Sequence, residues 1–377
     1  MVLTAYEASQ YFEAVWLWDN SAGAYVDNTF ESQSSAGTSF PLWGQTTDYV
    51  YLGSESRFDM AAFMLESAGN VGARTWEYYS GSAWTRFTAG SAVWGRLGKD
   101  YDFVADGAET FDRLINWAPY AFTNSAPHSA TPPDTRSRYW IRCSVASVAG
   151  SPTIKEIIKR PYASYCTPTE VASLLQLGLD FTASTIPTRN AVEDLIHNAQ
   201  SYIDFRTRKS WRPNIVENEE HEFLRAGFQL KRTYASKVLR LEVYNGSTYD
   251  TKTQGRTEDY FLVPDTGMVY YARFFILPAR IVAYGAASAL WGHGFGEFTF
   301  PVRVSYLYGK NIFTDEREGG LVNDITTKQV AADIFTSHDY SLLAVSGSDR
   351  IGMDRKVDIW RTEVEEKIDL LQSWEVF

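Results

Sequence analysis

Side chains that can do chemistry are scattered along this 377-residue chain and are not gathered into a motif. A histidine-based metal or catalytic site needs closely spaced partners, as in HExxH or a cysteine pair. The stretch GHGFGEF, residues 292–298, lacks the spacing of a phosphate or dinucleotide loop, and no GxSxG occurs. The histidines stand singly; they are His128, His197, His221, His293 and His338. We therefore expect a protein that is not an enzyme, with no cofactor and no metal.

Two aspartates, Asp100 and Asp102 in KDYDF, are the carboxylates that could pair in space with a third for acid–base chemistry. Aspartates beside turns are more often solvated turn residues than catalytic groups. A hydrolase would need a carboxylate pair or a triad assembled from distant parts of the chain, and a triad need not leave a sequence trace. Hydrolase is the third class of function that we consider.

Composition and charge further limit the class of protein and its number of domains. The chain is 45% hydrophobic and 21% charged, as in folded proteins, and its length indicates about two or three domains. Aromatic residues make up 15% and concentrate in segments of β character. The net charge of −11 disfavours a protein that holds nucleic acid by phosphate contacts. It remains compatible with a surface that DNA passes without binding.

The sequence also suggests a compartment. No segment approaches about 18 uncharged apolar residues, so we expect no transmembrane helix. The stretch MVLTAYEASQYF lacks the basic-then-apolar order of a signal peptide. Cys143 and Cys166 do not make a disulfide framework and are interpreted as reduced thiols of a cytosolic product.

Residues 1–160 contain short alternating runs separated by turn residues, which predicts an antiparallel β-sandwich. The stretch TWEYYSGSAWTRF, residues 75–87, predicts a hairpin around its SGS turn. The stretch FDMAAFMLESAG, residues 58–69, fits a bulged strand or a short helix, and its aromatic neighbours favour the strand. The strand RYWIRCSV, residues 138–145, should place alternate side chains on one face: Tyr139, Ile141 and Cys143.

Exposed rings on such a sandwich could form a platform that stacks against sugars. The candidate rings are Trp76, Trp84, Trp94, Trp117 and Trp140. Aromatic residues in β-sheets more often fill a core or an interface, and we favour that interpretation. An exposed aromatic strip in residues 70–145 would support a carbohydrate-binding virion or cell-surface protein, which is the alternative function.

Residues 167–211 predict two helices and a connector. Thr167, Pro168 and Glu170 form a capping box that starts the first helix, and Gly178 is predicted to end it. Thr188 is predicted to cap the second helix. The apolar stripe of that helix consists of Val192, Leu195, Ile196, Ala199 and Ile203.

The basic stretch FRTRKSWR at the end of the second helix has two interpretations. Arg206, Arg208 and Lys209 could form a patch that binds nucleic acid. Cations at the carboxyl end of a helix also stabilise the helix dipole, and we favour that account.

Residues 221–309 return to a β pattern, with strands VLRLEVY, RFFIL and VRVSYLY and a flexible loop at 283–298. Helices are then predicted over about 326–373, with the last helix at about 353–373. The last of them has an apolar seam formed by Val357, Trp360, Val364, Ile368 and Leu371, and two further large apolar residues follow, Trp374 and Phe377. This seam could dock into a partner protein or pack on the helical hairpin of its own chain.

The stretch YCTPTEVASLLQLGLDFTASTIPTRNAVEDLIHNAQSYIDFRTRKSW resembles the head–tail connector, adaptor or neck, proteins of tailed phages and archaeal tailed viruses. In that family a T-x-x-EV helix precedes a longer helix of pattern I-x-x-LI-x-x-A-x-x-x-ID, matched here from Val192 to Asp204. The blocks VLRLEVYNGSTYD, TEDYFLVP and FPVRVSYLYG resemble connectors with a β insertion. Relatives usually end the last strand with Trp-Gly-Tyr, and Leu307-Tyr308-Gly309 stands here. The stretches DYVYLGSESRFD, EYYSGSAW and YWIRCSV resemble a β domain of phage virion proteins.

The resemblance implies an α+β multidomain protein. Residues 1–160 would form the β-sandwich, and residues 161–377 a connector domain with helices at about 167–210, a β insertion at about 221–309 and C-terminal helices. It implies a virion protein, assembled in the host cytoplasm, that forms a ring of about twelve copies joining the portal to the tail while DNA passes through. Implied partners are the portal, a tail, stopper or terminator protein and fibre proteins. The residues implied to dock into the portal are Trp360, Val364, Ile368, Leu371, Trp374 and Phe377.

Overall fold

The computed structural model describes residues 10–33, 37–87, 90–91, 101–111, 114, 117–122, 136–222, 227–244, 248–272, 302–310, 316–337 and 347–373. Within these residues the chain is mostly antiparallel β-sheet, with four helices, so the fold is α+β. Segments 88–89, 92–100, 123–135 and 273–301 lie outside the described residues. The predicted strand RFFIL, the predicted loop at 283–298 and Trp94 fall there.

The first sheet has six strands in the order β2-β1-β4-β11-β7-β8. Its strands are β1 (Ala14–Asp19), β2 (Ala24–Asp27), β4 (Tyr49–Ser54), β7 (Arg74–Tyr79), β8 (Trp84–Phe87) and β11 (Tyr139–Val145). The predicted hairpin is confirmed, because β7 pairs with β8 with Tyr79 opposite Trp84.

The second sheet has five strands in the order β3-β13-β5-β10-β9. Its strands are β3 (Phe40–Pro41), β5 (Phe58–Ser67), β9 (Gly90–Ser91), β10 (Gly107–Thr110) and β13 (Thr153–Pro161). A small ribbon pairs β6 (Asn70–Val71) with β12 (Val148–Gly150). The stretch 58–69 is therefore a strand through Ser67, and irregular register with β13 provides the expected bulge.

The first two sheets enclose one aromatic-rich core, as in a sandwich. Ile141 and Cys143 of β11 point into this core together with Phe63 of β5. Trp140 points to the opposite face of the first sheet, as the alternation predicts. Its ring lies over Gly53 of β4, where a Cβ would sit 2.5 Å from the ring. Only glycine allows this approach.

Two more sheets follow in the chain. The third has the order β14-β20-β16-β17, and the fourth β15-β19-β18. Their strands are β14 (Asn214–His221), β15 (Gly227–Gln229), β16 (Ala235–Tyr244), β17 (Tyr249–Lys252), β18 (Tyr260–Val263), β19 (Met268–Tyr271) and β20 (Val302–Tyr308). The β region begins at Asn214, earlier than predicted, because the polar edge strand NIVENEEH gives no apolar alternation.

A second apolar core joins the sandwich to the third sheet. Met60, Met64 and Ile158 from the second sheet are buried with Leu239 and Leu307 from the third. A further core lies between the third and fourth sheets. The four sheets are therefore stacked, and the boundary near residue 160 crosses a packed interface. Independent folding of residues 1–160 stays a prediction.

The helical layer consists of α1 (Pro168–Leu174), α2 (Arg189–Thr207), α3 (Glu316–Ser337) and α4 (Gly347–Ser373). The capping box of Thr167 and Glu170 is confirmed, and Thr188 caps α2 as predicted. Helix α1 ends earlier than predicted, at Leu174, because the chain turns at Gln176, whose φ is 57°, rather than at Gly178.

Helices α3 and α4 begin earlier than predicted, at Glu316 and Gly347. The first turns of α3 contain two glycines, which lower helix propensity. Val322 and Ile325 are nevertheless fully buried against α4 and the hairpin. Tertiary packing therefore overrides the local preference, which is why the sequence pattern underestimates the helix.

Candidate interaction surfaces

Chemistry-bearing side chains are not gathered in the part of the chain that the structure describes. No group of three or more His, Cys, Asp or Glu side chains is placed there to hold a metal ion. Asp102 accepts the backbone N–H of Val104 at 3.2 Å, as a turn residue does. Cys143 and Cys166 are buried and are not joined in a disulfide, and burial raises the pKa of Cys166 to about 12. Among the described helices, none is long and apolar enough to cross a bilayer.

The apolar seam of α4 faces its own chain. Val364, Ile368 and Leu371 are buried in one cluster with Ile203 of α2 and Trp211. Trp360 and Val357 are buried in a second cluster, with Ala331 and Ala332 of α3. The structure thus shows the intrachain packing that the sequence left open as an alternative to portal docking. Trp374 and Phe377 lie outside the described residues. A portal-docking role stays a prediction for these two and for Trp360, Val364, Ile368 and Leu371.

Ion pairs hold α4 against its neighbours outside the apolar seam. Arg206 Nη1 of α2 donates to Glu365 Oε2 at 2.9 Å, and Lys328 Nζ of α3 donates to Glu363 Oε2 at 2.6 Å. Lys367 bonds to Asp324 of α3. Burial alone would raise the pKa of Asp324, but hydrogen bonds from Lys367 and Lys328 outweigh it and lower that pKa. These pairs fix the register of α4 on α2 and α3.

The basic stretch at the end of α2 is largely used inside the molecule. Lys209 is buried and its Nζ donates to the carbonyl of Leu371 at 3.1 Å. Arg212 is buried beside Asp204, with Nε and Oδ2 3.7 Å apart. Arg208 caps the helix in a left-handed conformation. Arg208 is exposed, but Arg206, Lys209 and Arg212 are paired or buried and do not join it in a phosphate-binding patch, which favours the helix-end interpretation.

Buried charges connect the sandwich to α2. Arg57, between β4 and β5, donates from Nε to Glu193 Oε2 at 2.6 Å and from Nη1 to Asp194 Oδ1 at 3.2 Å. Arg57 is 6% exposed. Arg160 of β13 bonds to Asp59 at 2.6 Å. These charged partners are up to 137 residues apart in sequence, and no sequence signal pairs them.

His197 of α2 lies beside this junction and stacks on the ring of Tyr162, with centroids 4.1 Å apart. Its Nδ1 is 3.1 Å from the Tyr162 carbonyl and 4.0 Å from Asp59 Oδ2. Burial, followed by the charge of Arg212, lowers the pKa of His197. The ring therefore serves as packing between the sandwich and the helix and is not arranged with a metal or a nucleophile.

The four candidate sugar-stacking rings that the structure describes do not form an exposed strip. Trp76, Trp117 and Trp140 are buried, at 2%, 4% and 0% exposed. Trp84 is half-buried on the outer face of the first sheet, where the guanidinium of Arg142 lies 4.3 Å from its ring centroid. Burial of these rings supports the core interpretation and gives no support to a sugar platform built from them.

The most exposed large apolar side chains of the described residues are found on the helical layer, whereas Phe30 of the sandwich is 62% exposed. Leu179 and Ile186, in the connector between α1 and α2, are 83% and 85% exposed. Phe205, near the other end of α2, is 79% exposed. The α1–α2 connector is held by its own hydrogen bonds and by the buried Phe181, so these side chains are displayed from ordered backbone. Sequence reasoning missed them because they lie outside the apolar stripe.

Comparisons with known proteins add little. No family model matches the sequence, and no curated protein matches it. Among solved structures, the chain is similar to a protein from the neck of an empty GTA particle, at 16% identity and a TM-score of 0.28. That match covers 51% of this chain and 86% of the other. A similarity with a TM-score of this size carries no argument about fold or function.

Proposed function

We propose that this protein is a structural subunit of a virion neck. In this proposal, copies of the chain form a ring that joins the portal to the tail and lets DNA pass. The observation that supports it best is the helical layer, whose hairpin carries the family-like motif and displays Leu179, Ile186 and Phe205 to solvent. Large apolar side chains exposed on ordered backbone mark sites of association with other proteins.

The charge of the helical layer is compatible with a channel for DNA. Asp358 and Glu366 of α4 are exposed, and the whole chain carries a net charge of −11. Acidic surfaces repel the phosphate backbone, so DNA could move past them without being held. The sandwich would lie outside the ring, where it could hold fibre or tail proteins.

Attachment to the portal is the finer part of the proposal. The seam residues Trp360, Val364, Ile368 and Leu371 are covered by their own chain, so Trp374 and Phe377 are the remaining anchors. Large aromatic side chains contribute most to binding when they fill a partner's pocket. The portal should offer an apolar groove with basic rims, because α4 is acidic.

The test is the mass and shape of the assembled protein. We expect native mass spectrometry and electron microscopy to show closed rings, either of the purified chain or of the chain bound to DNA-filled heads that lack tails. Rings on the portal vertex, followed by tail attachment, would support the proposal. A chain that stays monomeric alone and does not bind the heads would overturn it.

A further inference from the structure

The two ends of α2 carry different exposed surfaces. The first is the α1–α2 connector, residues 175–188, which displays Leu179 and Ile186. Its backbone is fixed, because Thr182 N–H donates to Thr185 Oγ1 at 2.9 Å and the Thr185 hydroxyl donates to the carbonyl of Pro187 at 2.8 Å. We call this surface the knob.

The second surface, which we call the seat, is centred on Phe205 and lies at the carboxyl end of α2. Helix α4 borders this surface, since Asp369 Oδ1 lies 3.7 Å from Nη2 of Arg206, the residue after Phe205. The seat is rigid because Arg206 also bonds to Glu365 and accepts, at its carbonyl, a hydrogen bond from Gln372. The seat is thus a fixed apolar surface.

The knob and the seat cannot meet within one chain. Helix α2 has 19 residues, which at about 1.5 Å per residue separates its ends by about 28 Å. Asp180 is an exposed anion of the knob, and Arg208 is an exposed cation beside the seat. The exposed carboxylates of α4 near the seat, Glu365 and Asp369, are paired with Arg206. Two apolar surfaces at opposite ends of one rigid helix, with Asp180 at one and Arg208 at the other, suit a head-to-tail contact.

We propose that the knob of one copy binds the seat of a second copy, with Leu179 and Ile186 against Phe205 and Asp180 facing Arg208. This inference rests on the ring proposed above and names the contact that builds it. A head-to-tail contact leaves one free knob and one free seat after each addition, so it continues until rotation closes a ring. A symmetric contact would instead stop at a dimer.

Complementation between two variants tests the contact. The knob variant is Leu179→Glu/Ile186→Glu, and the seat variant is Phe205→Glu. We expect each variant alone to be a monomer in analytical ultracentrifugation at concentrations where the wild type forms rings. An equimolar mixture should form a heterodimer and nothing larger, because only one intact knob and one intact seat can meet. The matched control is Phe30→Glu, which changes a 62% exposed phenylalanine of the sandwich and should leave rings unchanged.

The possible outcomes are distinct. Rings that persist in the seat variant, or a mixture that stays monomeric, would overturn the knob-and-seat contact and leave the ring proposal standing. A wild-type chain that never assembles, alone or on heads, would overturn both. Unchanged melting temperatures of the exposed variants would show that loss of assembly is not loss of folding.

Charge reversal gives a second, independent readout. Asp180→Arg and Arg208→Asp should each weaken assembly about fivefold, and the double variant should recover most of that loss because the pair is restored with reversed sign. The control is Asp265→Arg, an exposed acidic residue in the turn between β18 and β19, which should change nothing. Equal weakening by all three single variants, without recovery in the double variant, would contradict a pairing of Asp180 with Arg208.

Discussion

The sandwich and the helical layer use their apolar residues in different ways. The sandwich places its large rings in a dense interior, where Phe58 and Trp117 meet edge to face at 4.9 Å and Trp43 and Phe103 at 5.2 Å. The helical layer has a mainly aliphatic core along α4 and also leaves Leu179, Ile186 and Phe205 in solvent. The difference teaches that the sandwich uses most of its large rings for its own stability, although Phe30 is 62% exposed, whereas the helical layer presents the most exposed apolar side chains of the described residues.

The largest expected effect concerns the buried rings of the sandwich, which should contribute strongly to its stability. Trp140→Ala should lower the free energy of unfolding by about 4 kcal/mol, because it opens a cavity between Trp16 and Phe122. It also removes the hydrogen bond from Trp140 Nε1 to the Tyr120 carbonyl at 2.9 Å. Urea denaturation measures this loss. A loss below about 1 kcal/mol would mean that the outer-face cluster is not a tight core.

The junction between the two regions gives the next largest effect. Arg57→Ala should cost about 3 kcal/mol, because it leaves Glu193 and Asp194 without their buried cation. Arg189→Ala is the control, since Arg189 also bonds to Glu193, at 3.2 Å, but is 59% exposed. Its cost should be below about 1 kcal/mol. Equal losses of unfolding free energy in the two variants, measured by chemical denaturation, would show that burial does not make Arg57 more stabilising than Arg189.

A smaller effect concerns a carboxyl group at the interface of the second and third sheets. Burial raises the pKa of Asp106 to about 6 from its ordinary 3.8. The folded state therefore binds this proton more tightly, so the contribution of Asp106 to stability falls as the pH rises from about 4 to about 6. Asp106→Asn should be about 1 kcal/mol more stable than wild type at neutral pH, with the difference vanishing near pH 4.

Denaturation curves of both proteins across that pH range measure the difference. The amide oxygen of the variant can still accept the N–H of Leu65, which bonds to Asp106 Oδ1 at 2.7 Å. A stability difference that does not depend on pH would contradict the raised pKa.

The smallest effect on stability is expected from deletion of residues 374–377. The five seam side chains keep their intrachain packing, so the free energy of unfolding should change by less than about 0.5 kcal/mol. Attachment to portal-bearing heads should nevertheless be lost, as measured by co-sedimentation. Normal yields of joined heads and tails with the truncated protein would rule out Trp374 and Phe377 as the anchors.

Several elements could be predicted because their signals are local. The hairpin around SGS follows from turn residues between aromatic strands, and the starts of α1 and α2 follow from side-chain caps one to three residues away. The end of α1 and the start of α3 were misplaced. Helix α1 ends before Gly178 because the chain already turns at Gln176, and α3 begins before its predicted start because burial of Val322 and Ile325 outweighs the low helix propensity of its glycines.

By itself, the sequence determined the α+β class, the alternation of β11, the helical hairpin and the apolar seam of α4. Only the tertiary structure decided which surface covers that seam, how four sheets stack, and which charges meet at Arg57. Caps and periodicity depend on residues within a few positions, so they can be read along the chain. Contacts between residues more than a hundred positions apart depend on how whole helices and sheets pack. A side chain is buried only when several of these elements cover it together. For the same reason, only the folded molecule showed that Leu179, Ile186 and Phe205 remain in solvent.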